Sequence, residues 1–99
     1  MSEADIIQRQ VKVTPENGLH LSPISQLVRT ATSYSSSIVL TFAERRADAK
    51  SAFDLMLLAA PCGAILTLEV TGTDAEAAAN SICGLFEKGF ALPGEPSNH

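Results

Sequence analysis

The chain has 99 residues and a formal net charge of −4, from seven basic and eleven acidic side chains. This length suits one domain with one core, and the acidic balance gives no general electrostatic reason to bind nucleic acid. Residues 1–10 lack the apolar run of a secretory signal. The nearly apolar stretch 55–68 contains Pro61 and Gly63 and is shorter than the roughly 20 residues that span a bilayer. We therefore expect a cytoplasmic protein without membrane contact.

The composition also limits the core and the chemistry. It is 45% hydrophobic but only 5% aromatic, without Trp, so Ala, Val, Leu and Ile must supply most of the core. Cys62 and Cys83 have no CxxC spacing and no nearby His pair, so we expect two buried or half-buried free thiols and neither a metal nor a cofactor. The large core side chains are expected to be Phe42, Phe53, Phe86 and Phe90.

The first third of the chain predicts a strand, a turn and a helix. Apolar and polar residues alternate toward the end of 6–13, which predicts a half-buried strand. A turn rich in Pro, Asn and Gly follows at 15–18. From Ile24 onward, apolar residues recur at i, i+3, i+4 and i+7, which predicts a helix over 22–33 with Ser22 at its N-cap.

The middle of the chain predicts a hairpin and a short helix. Residues 38–42 are β-branched or apolar enough for a strand, and 45–49 suit a short polar partner at a sheet edge. Ser51 followed by Asp54 resembles a capping box with Asp in place of Glu or Gln, so a helix should begin there and end before Pro61. The apolar stripe of this helix consists of Phe53, Met56 and Leu57.

The last third predicts a buried strand and a final helix. Residues 64–71 are rich in Ile, Leu, Val and Thr, and Asp74 should cap a helix that Gly89 ends. Strand, helix, strand, strand, helix, strand, helix predicts an α+β fold in which three helices cover one face of a four-stranded sheet. We expect 1–91 to form this single domain and 92–99 to be a disordered tail.

Three segments resemble a known family. The sequence Asn-Gly-Leu-His at 17–20, with Pro23 three residues past the His, resembles the active-site loop of HPr, the phosphocarrier of the bacterial sugar phosphotransferase system. Residues 49–51 resemble its regulatory serine region, and 72–74 resemble the start of its last helix. The three lie at the family's mutual spacing over about 10–89. The resemblance implies an open-faced β-sandwich with an antiparallel sheet (βαββαβα).

The resemblance implies that His20 is a phosphohistidine, loaded by Enzyme I and unloaded by IIA-type domains. The residues support this independently. A His directly ahead of a helix lies where unpaired N–H groups and the positive dipole end favour a phosphate, which the amides of Leu21 and Ser22 would hold. Imidazole is largely an unprotonated nucleophile at neutral pH. A lone His in such a turn is otherwise a surface residue or helix cap. A carrier turns over no free substrate, so "enzyme" fits it poorly.

One position departs from the family pattern. HPr proteins usually carry an Arg two residues after the active His, where its guanidinium grips the phosphoryl oxygens, but this chain has Ser22. The Ser hydroxyl donates one hydrogen bond and brings no charge, so we expect a cost of about 2–4 kcal/mol in the phosphorylated or transition state. Arg29, or Arg45 with Arg46, is the candidate substitute.

Ser51 leaves an alternative function open. The family's serine at this position is phosphorylated by an HPr kinase/phosphorylase, so the chain could instead be a regulatory binding module controlled at Ser51, with His20 as a passenger. A plain helix cap without modification is the simpler interpretation. The missing Arg favours the regulator, whereas the presence of His20 favours the carrier, which we prefer.

The resemblance also implies a partner-binding surface around His20. Apolar residues suit transient docking, although apolar residues at helical spacing are equally compatible with a core. Small carriers dock alternately with several partners, so we expect a monomer. The partner-binding residues that the resemblance implies are Leu21, Ser22, Ser25, Arg29, Ala52, Phe53 and Met56.

Overall fold

The computed structural model describes residues 6–91, in which the seven predicted elements follow one another in the predicted order. The predicted tail, 92–99, and residues 1–5 lie outside the described residues. The strands are β1 (Ile6–Lys12), β2 (Ser37–Phe42), β3 (Arg45–Asp48) and β4 (Ile65–Thr71), and the helices are α1 (Leu21–Thr32), α2 (Ala52–Leu58) and α3 (Ala75–Glu87).

The four strands form one antiparallel sheet in the order β1-β4-β2-β3. The register pairs Ile6 with Thr71 at one end of β4 and Lys12 with Ile65 at the other. The short polar strand β3 lies at one edge of the sheet, as predicted, and β1 lies at the other. The fold is therefore the expected open-faced β-sandwich of the α+β class.

The core lies between the sheet and the three helices. Leu66, Leu68 and Val70 alternate along β4 with partly exposed polar residues, and all three are fully buried because the period of a strand is two. Leu27 of α1 and Ile82 of α3 cover them from the helical side and are also fully buried. Burying each such side chain contributes roughly 1.5–3 kcal/mol.

The phenylalanine prediction is only partly right. Phe86 and Phe90 are buried and meet edge to face, with their ring centroids 4.8 Å apart. Phe42 is half-buried, and Phe53 is exposed, so the core prediction for Phe53 is wrong. The reason is local, since α2 turns Leu55 rather than Phe53 toward the sheet.

Asp74 immediately precedes α3, but its carboxylate does not cap that helix, so the capping prediction is wrong. The carboxylate accepts hydrogen bonds from the backbone N–H groups of Ser35 (2.9 Å) and Ser36 (3.0 Å) and from the Ser36 hydroxyl. Bonds to the Ser36 hydroxyl and the Ser35 amide lower the pKa of Asp74 from its ordinary 3.8 to about 2. Asp74 thus ties the start of α3 to the loop after α1.

Both thiols are free, but Cys62 is exposed, against the expectation of two buried or half-buried cysteines. Cys83 is half-buried, and burial raises the pKa of its thiol. Within residues 6–91, no helix has the length and apolarity needed to cross a membrane. In the same part of the chain, the fold gathers no group of three or more His, Cys, Asp and Glu side chains suited to a metal ion.

Candidate functional site

His20 is the N-cap of α1. Its backbone is extended (φ −90°, ψ −168°), its carbonyl accepts the first helical hydrogen bond from Ile24 N–H at 3.0 Å, and its exposed side chain makes no capping bond. The helix therefore begins at Leu21, and the prediction that Ser22 is the N-cap is wrong. The imidazole stands free at the helix start.

The first turn of α1 leaves donors for an anion. Within residues 6–91, the backbone N–H groups of Leu21 and Ser22 have no hydrogen-bond acceptor. Pro23 has no N–H group, and no acidic residue lies in the first turn. Two free N–H groups and the positive end of the helix dipole therefore lie next to the imidazole, without a carboxylate in that turn to oppose an anion.

A network of backbone hydrogen bonds fixes the loop before His20. Gly18 N–H donates to Pro15 O (2.9 Å), Leu19 N–H donates to Ala60 O (3.0 Å), and His20 N–H donates to Gly18 O (2.9 Å). Gly18 has φ +71°, and a Cβ there would lie 2.6 Å from Ala60 O. Only glycine fits this position without a shift, so the loop is seated against the segment that follows α2.

The structure places none of the candidate arginines at His20. Arg29 lies in the last turn of α1, and nine residues at a rise of 1.5 Å separate it from His20 by about 13 Å along the helix axis. Arg45 lies on β3, and its Nη1 donates to Leu58 O at the end of α2 at 3.4 Å. Ser22 itself is half-buried. The positive charge beside His20 is therefore the partial charge of the α1 dipole.

Ser51 is the N-cap of α2, so the capping prediction is confirmed. Its hydroxyl accepts the Asp54 N–H at 3.1 Å, but the reciprocal half of a capping box is absent, because Ser51 N–H donates to Asp48 O at 2.9 Å. The Asp54 carboxylate accepts Asp48 N–H (3.2 Å), and the Asp48 carboxylate accepts Lys50 N–H (2.9 Å). Ser51 is thus already engaged and has a carboxylate on each side in the chain.

The helices next to His20 present an apolar surface, which we call the docking face. The hydrogen bond from Leu19 to Ala60 brings the start of α1 beside the end of α2. Among the predicted partner-binding residues, Ser25, Arg29 and Ala52 are exposed as well. The exposed fractions of its four large side chains are 73% for Leu21, 65% for Phe53, 53% for Met56 and 59% for Leu57.

Leu57 was missed as a docking residue. Its spacing of i+4 from Phe53 predicted the apolar stripe of α2 but left its direction open between core and surface. The structure gives the core positions of α2 to Leu55 and Leu58, so the stripe of Phe53, Met56 and Leu57 faces outward.

Comparison with known proteins agrees with the fold and the motifs. Residues 7–88 match the family described as the PTS HPr component phosphorylation site. The phosphocarrier protein HPr of Haemophilus influenzae is 38% identical over 77 residues, 78% of this chain and 91% of that protein. That of Vibrio cholerae is 33% identical over 81 residues, 82% of this chain and 95% of that protein.

A solved structure extends the agreement to three dimensions. The crystal structure of HPr-C-His from Thermoanaerobacter tengcongensis has a TM-score of 0.83 at 28% identity and covers 92% of this chain and 99% of its own. The matches first define the class, a small open-faced β-sandwich of the kind that HPr structures share. The chain belongs to the HPr family of phosphocarrier proteins of the phosphotransferase system.

Proposed function

We propose that this protein accepts a phosphoryl group on His20 from Enzyme I and passes it to a IIA-type acceptor in the cytoplasm. The observation that carries the proposal is the open start of α1. There an exposed imidazole with no capping bond stands beside two N–H groups that have no acceptor within the described residues. A capped helix start would offer neither the free nucleophile nor the free donors.

The chemistry follows from this arrangement. A ring nitrogen of His20, the δ nitrogen by the family resemblance, attacks the phosphorus of phosphorylated Enzyme I with its lone pair. The N–P bond forms as the donor's bond to phosphorus breaks, and the Leu21 and Ser22 N–H groups stabilise the charge on the phosphoryl oxygens. The acceptor's nucleophile then attacks the same phosphorus, and the imidazole leaves with its lone pair restored.

Ser22 stands in place of the family's arginine in this proposal. Its hydroxyl adds one neutral donor to the two backbone donors, and it brings no charge. We therefore expect His20 to be loaded more slowly than a histidine with an arginine at that position.

The regulatory alternative, phosphorylation of Ser51 by an HPr kinase/phosphorylase, has less support. The Ser51 hydroxyl already caps α2, which has only seven residues. A phosphate on Ser51 would add negative charge between Asp48 and Asp54 in the chain, and nearby carboxylates oppose phosphorylation. We therefore prefer the carrier.

We further propose that partners dock beside His20. The apolar part of the docking face suits the brief, repeated contacts of a carrier. A monomer presents this face to each partner in turn. The proposed contact residues are Leu21, Ser25, Arg29, Ala52, Phe53 and Met56.

The test is the intact mass after incubation with phosphoenolpyruvate and Enzyme I from the same source. The wild type should gain one acid-labile phosphoryl group, and His20→Ala should gain none. Ser51→Ala is the matched control and should be labelled like the wild type. If the wild type remains unlabelled, and ATP with an HPr kinase gives acid-stable labelling that Ser51→Ala loses, the regulatory alternative replaces the carrier.

A further inference from the structure

A groove outside the family-derived site runs between β3 and α2. It has a volume of about 540 Å³ and adjoins the docking face at Leu57. We call it the β3–α2 groove. Its lining consists of Arg45, Arg46, Asp54, Leu57, Leu58 and Ala59.

The groove is locally basic in an acidic protein. Arg45 and Arg46 supply two positive charges, and Asp54 supplies one negative charge, whereas the whole chain carries −4. The hydrogen bond from Arg45 goes to the neutral carbonyl of Leu58 (3.4 Å), so this contact does not neutralise the guanidinium. The Asp54 carboxylate is engaged by Asp48 N–H (3.2 Å). A ligand therefore meets an excess of positive charge.

The apolar part of the groove is continuous with the docking face. Leu57 lines the groove, and its neighbour Met56 belongs to the docking face, and both side chains are more than half exposed. The Leu58 side chain is buried, so that residue offers its backbone rather than apolar surface. A protein that covers Met56 and Leu57 thus extends directly over the arginines of β3.

We propose that the β3–α2 groove binds an acidic segment of the phosphotransfer partner, with an apolar side chain packed on Leu57 and carboxylates paired with Arg45 and Arg46. The inference rests on the proposed carrier function and names the chemistry of the partner. Guanidinium groups pair well with carboxylates, and charge complementarity at an interface selects partners and speeds association. The groove supplies the positive charge that Ser22 does not bring, although at a distance from His20.

The test is calorimetric titration of the whole chain with Enzyme I and with a IIA-type domain from the same source. Arg45→Glu with Arg46→Glu should weaken binding of at least one partner by tenfold or more. The matched control is Arg9→Glu with Lys12→Glu, which makes the same charge change on the opposite edge strand, β1, and should stay within twofold of wild type. High salt should reduce the difference between the two pairs, because it screens exposed charges.

A second pair of variants keeps the test independent of the stability of the charge-reversed protein. Leu57→Ser changes an exposed side chain on α2 and should weaken the same partner. Ile65→Ser changes an exposed apolar side chain on β4 and should leave binding unchanged. Thermal unfolding of each variant verifies that it folds.

The outcomes separate the groove from the carrier function. If the wild type binds both partners and the charge-reversed and Leu57→Ser variants bind them equally well, the groove proposal is overturned and the carrier stands. If the wild type binds neither partner and His20 is not phosphorylated, both proposals fail. Equal weakening by the β1 control would also overturn the groove, because it would show an effect of net charge alone.

Discussion

The starts of α1 and α2 are two versions of one feature, a helix preceded by a residue that can carry phosphate. At α1 the His20 side chain makes no cap, and the N–H groups of Leu21 and Ser22 have no acceptor within the described residues. At α2 the Ser51 hydroxyl accepts the Asp54 N–H, and that acidic residue lies in the first turn. One helix start is open to an anion, whereas the other is closed and acidic.

The difference shows that a helix N-terminus is not by itself an anion site. A cap that accepts an N–H group stabilises the helix and consumes a donor that a phosphate would need. His20 leaves those donors free, so α1 loses one stabilising contact and retains a place for charge. The two serines of the family motifs differ in the same way, since Ser51 is a structural cap and Ser22 is not.

Adding charge to the open start should have the largest effect. Ser22→Arg places a guanidinium two residues from His20 and should increase the rate of loading by Enzyme I by about 30-fold or more, the equivalent of at least ~2 kcal/mol in the transition state. Rapid-quench measurement of phosphorylated protein gives the rate.

Ser25→Arg is the matched control, because it adds the same charge one turn further along α1 at an exposed position. Its effect on loading should be several times smaller than that of Ser22→Arg. Equal acceleration by the two variants would mean that long-range attraction to Enzyme I, and not grip on the phosphoryl group, limits the reaction.

Disturbing the loop that seats the open start should have the next largest effect. Gly18→Ala puts a Cβ 2.6 Å from Ala60 O at φ +71°, and should lower the free energy of unfolding by about 1–3 kcal/mol and slow the loading of His20. Gly63→Ala also lies at positive φ, but its Cβ meets no atom within 4 Å. It should cost about 1 kcal/mol and leave loading unchanged.

Urea unfolding and the loading rate together check this prediction. If Gly18→Ala is no less stable than Gly63→Ala, the close approach to Ala60 does not constrain the loop. If it is less stable but loads at the wild-type rate, the loop does not position His20.

The sequence predicts the order of the elements and the residues of the open start, because periodicity and turn chemistry are local. It misplaces details that depend on distant partners. Ser22 has a stronger N-cap preference than His20, yet the bond from Leu19 to Ala60 fixes the chain one residue earlier. Asp74 has the right type for a cap, but its partners lie 38 and 39 residues away.

The docking face was also beyond local pattern. Phe53, Met56 and Leu57 have helical spacing, which fits a buried stripe and an exposed stripe equally well. Packing of α2 on β3 decides between them and buries Leu55 and Leu58. Neither their spacing nor their hydrophobicity contains that information, so Leu57 was not predicted as part of an interaction surface.

Removing each cap residue in turn should give a smaller but opposite contrast. Ser51→Ala removes an N-cap hydrogen bond and should lower the free energy of unfolding by about 1 kcal/mol. His20→Ala removes a side chain that makes no capping bond, so its stability should stay within about 0.5 kcal/mol of wild type. Urea unfolding of the two variants under one condition measures the contrast. Equal losses would mean that His20 supports the start of α1 through contacts other than a cap.

The start of α3 offers a third case, in which the effect should be confined to acid. The Ser36 hydroxyl and the Ser35 amide hold the pKa of Asp74 at about 2, below its ordinary 3.8. The unfolded chain therefore binds a proton at higher pH than the folded chain, so the stabilisation is fully present above about pH 4 and is lost as pH falls toward 2. Thermal unfolding between pH 5 and pH 2 should show a loss of stability that is smaller in Asp74→Asn, which lacks the titrating group. Parallel pH curves for the two proteins would show that the carboxylate bonds to Ser35 and Ser36 do not stabilise the fold.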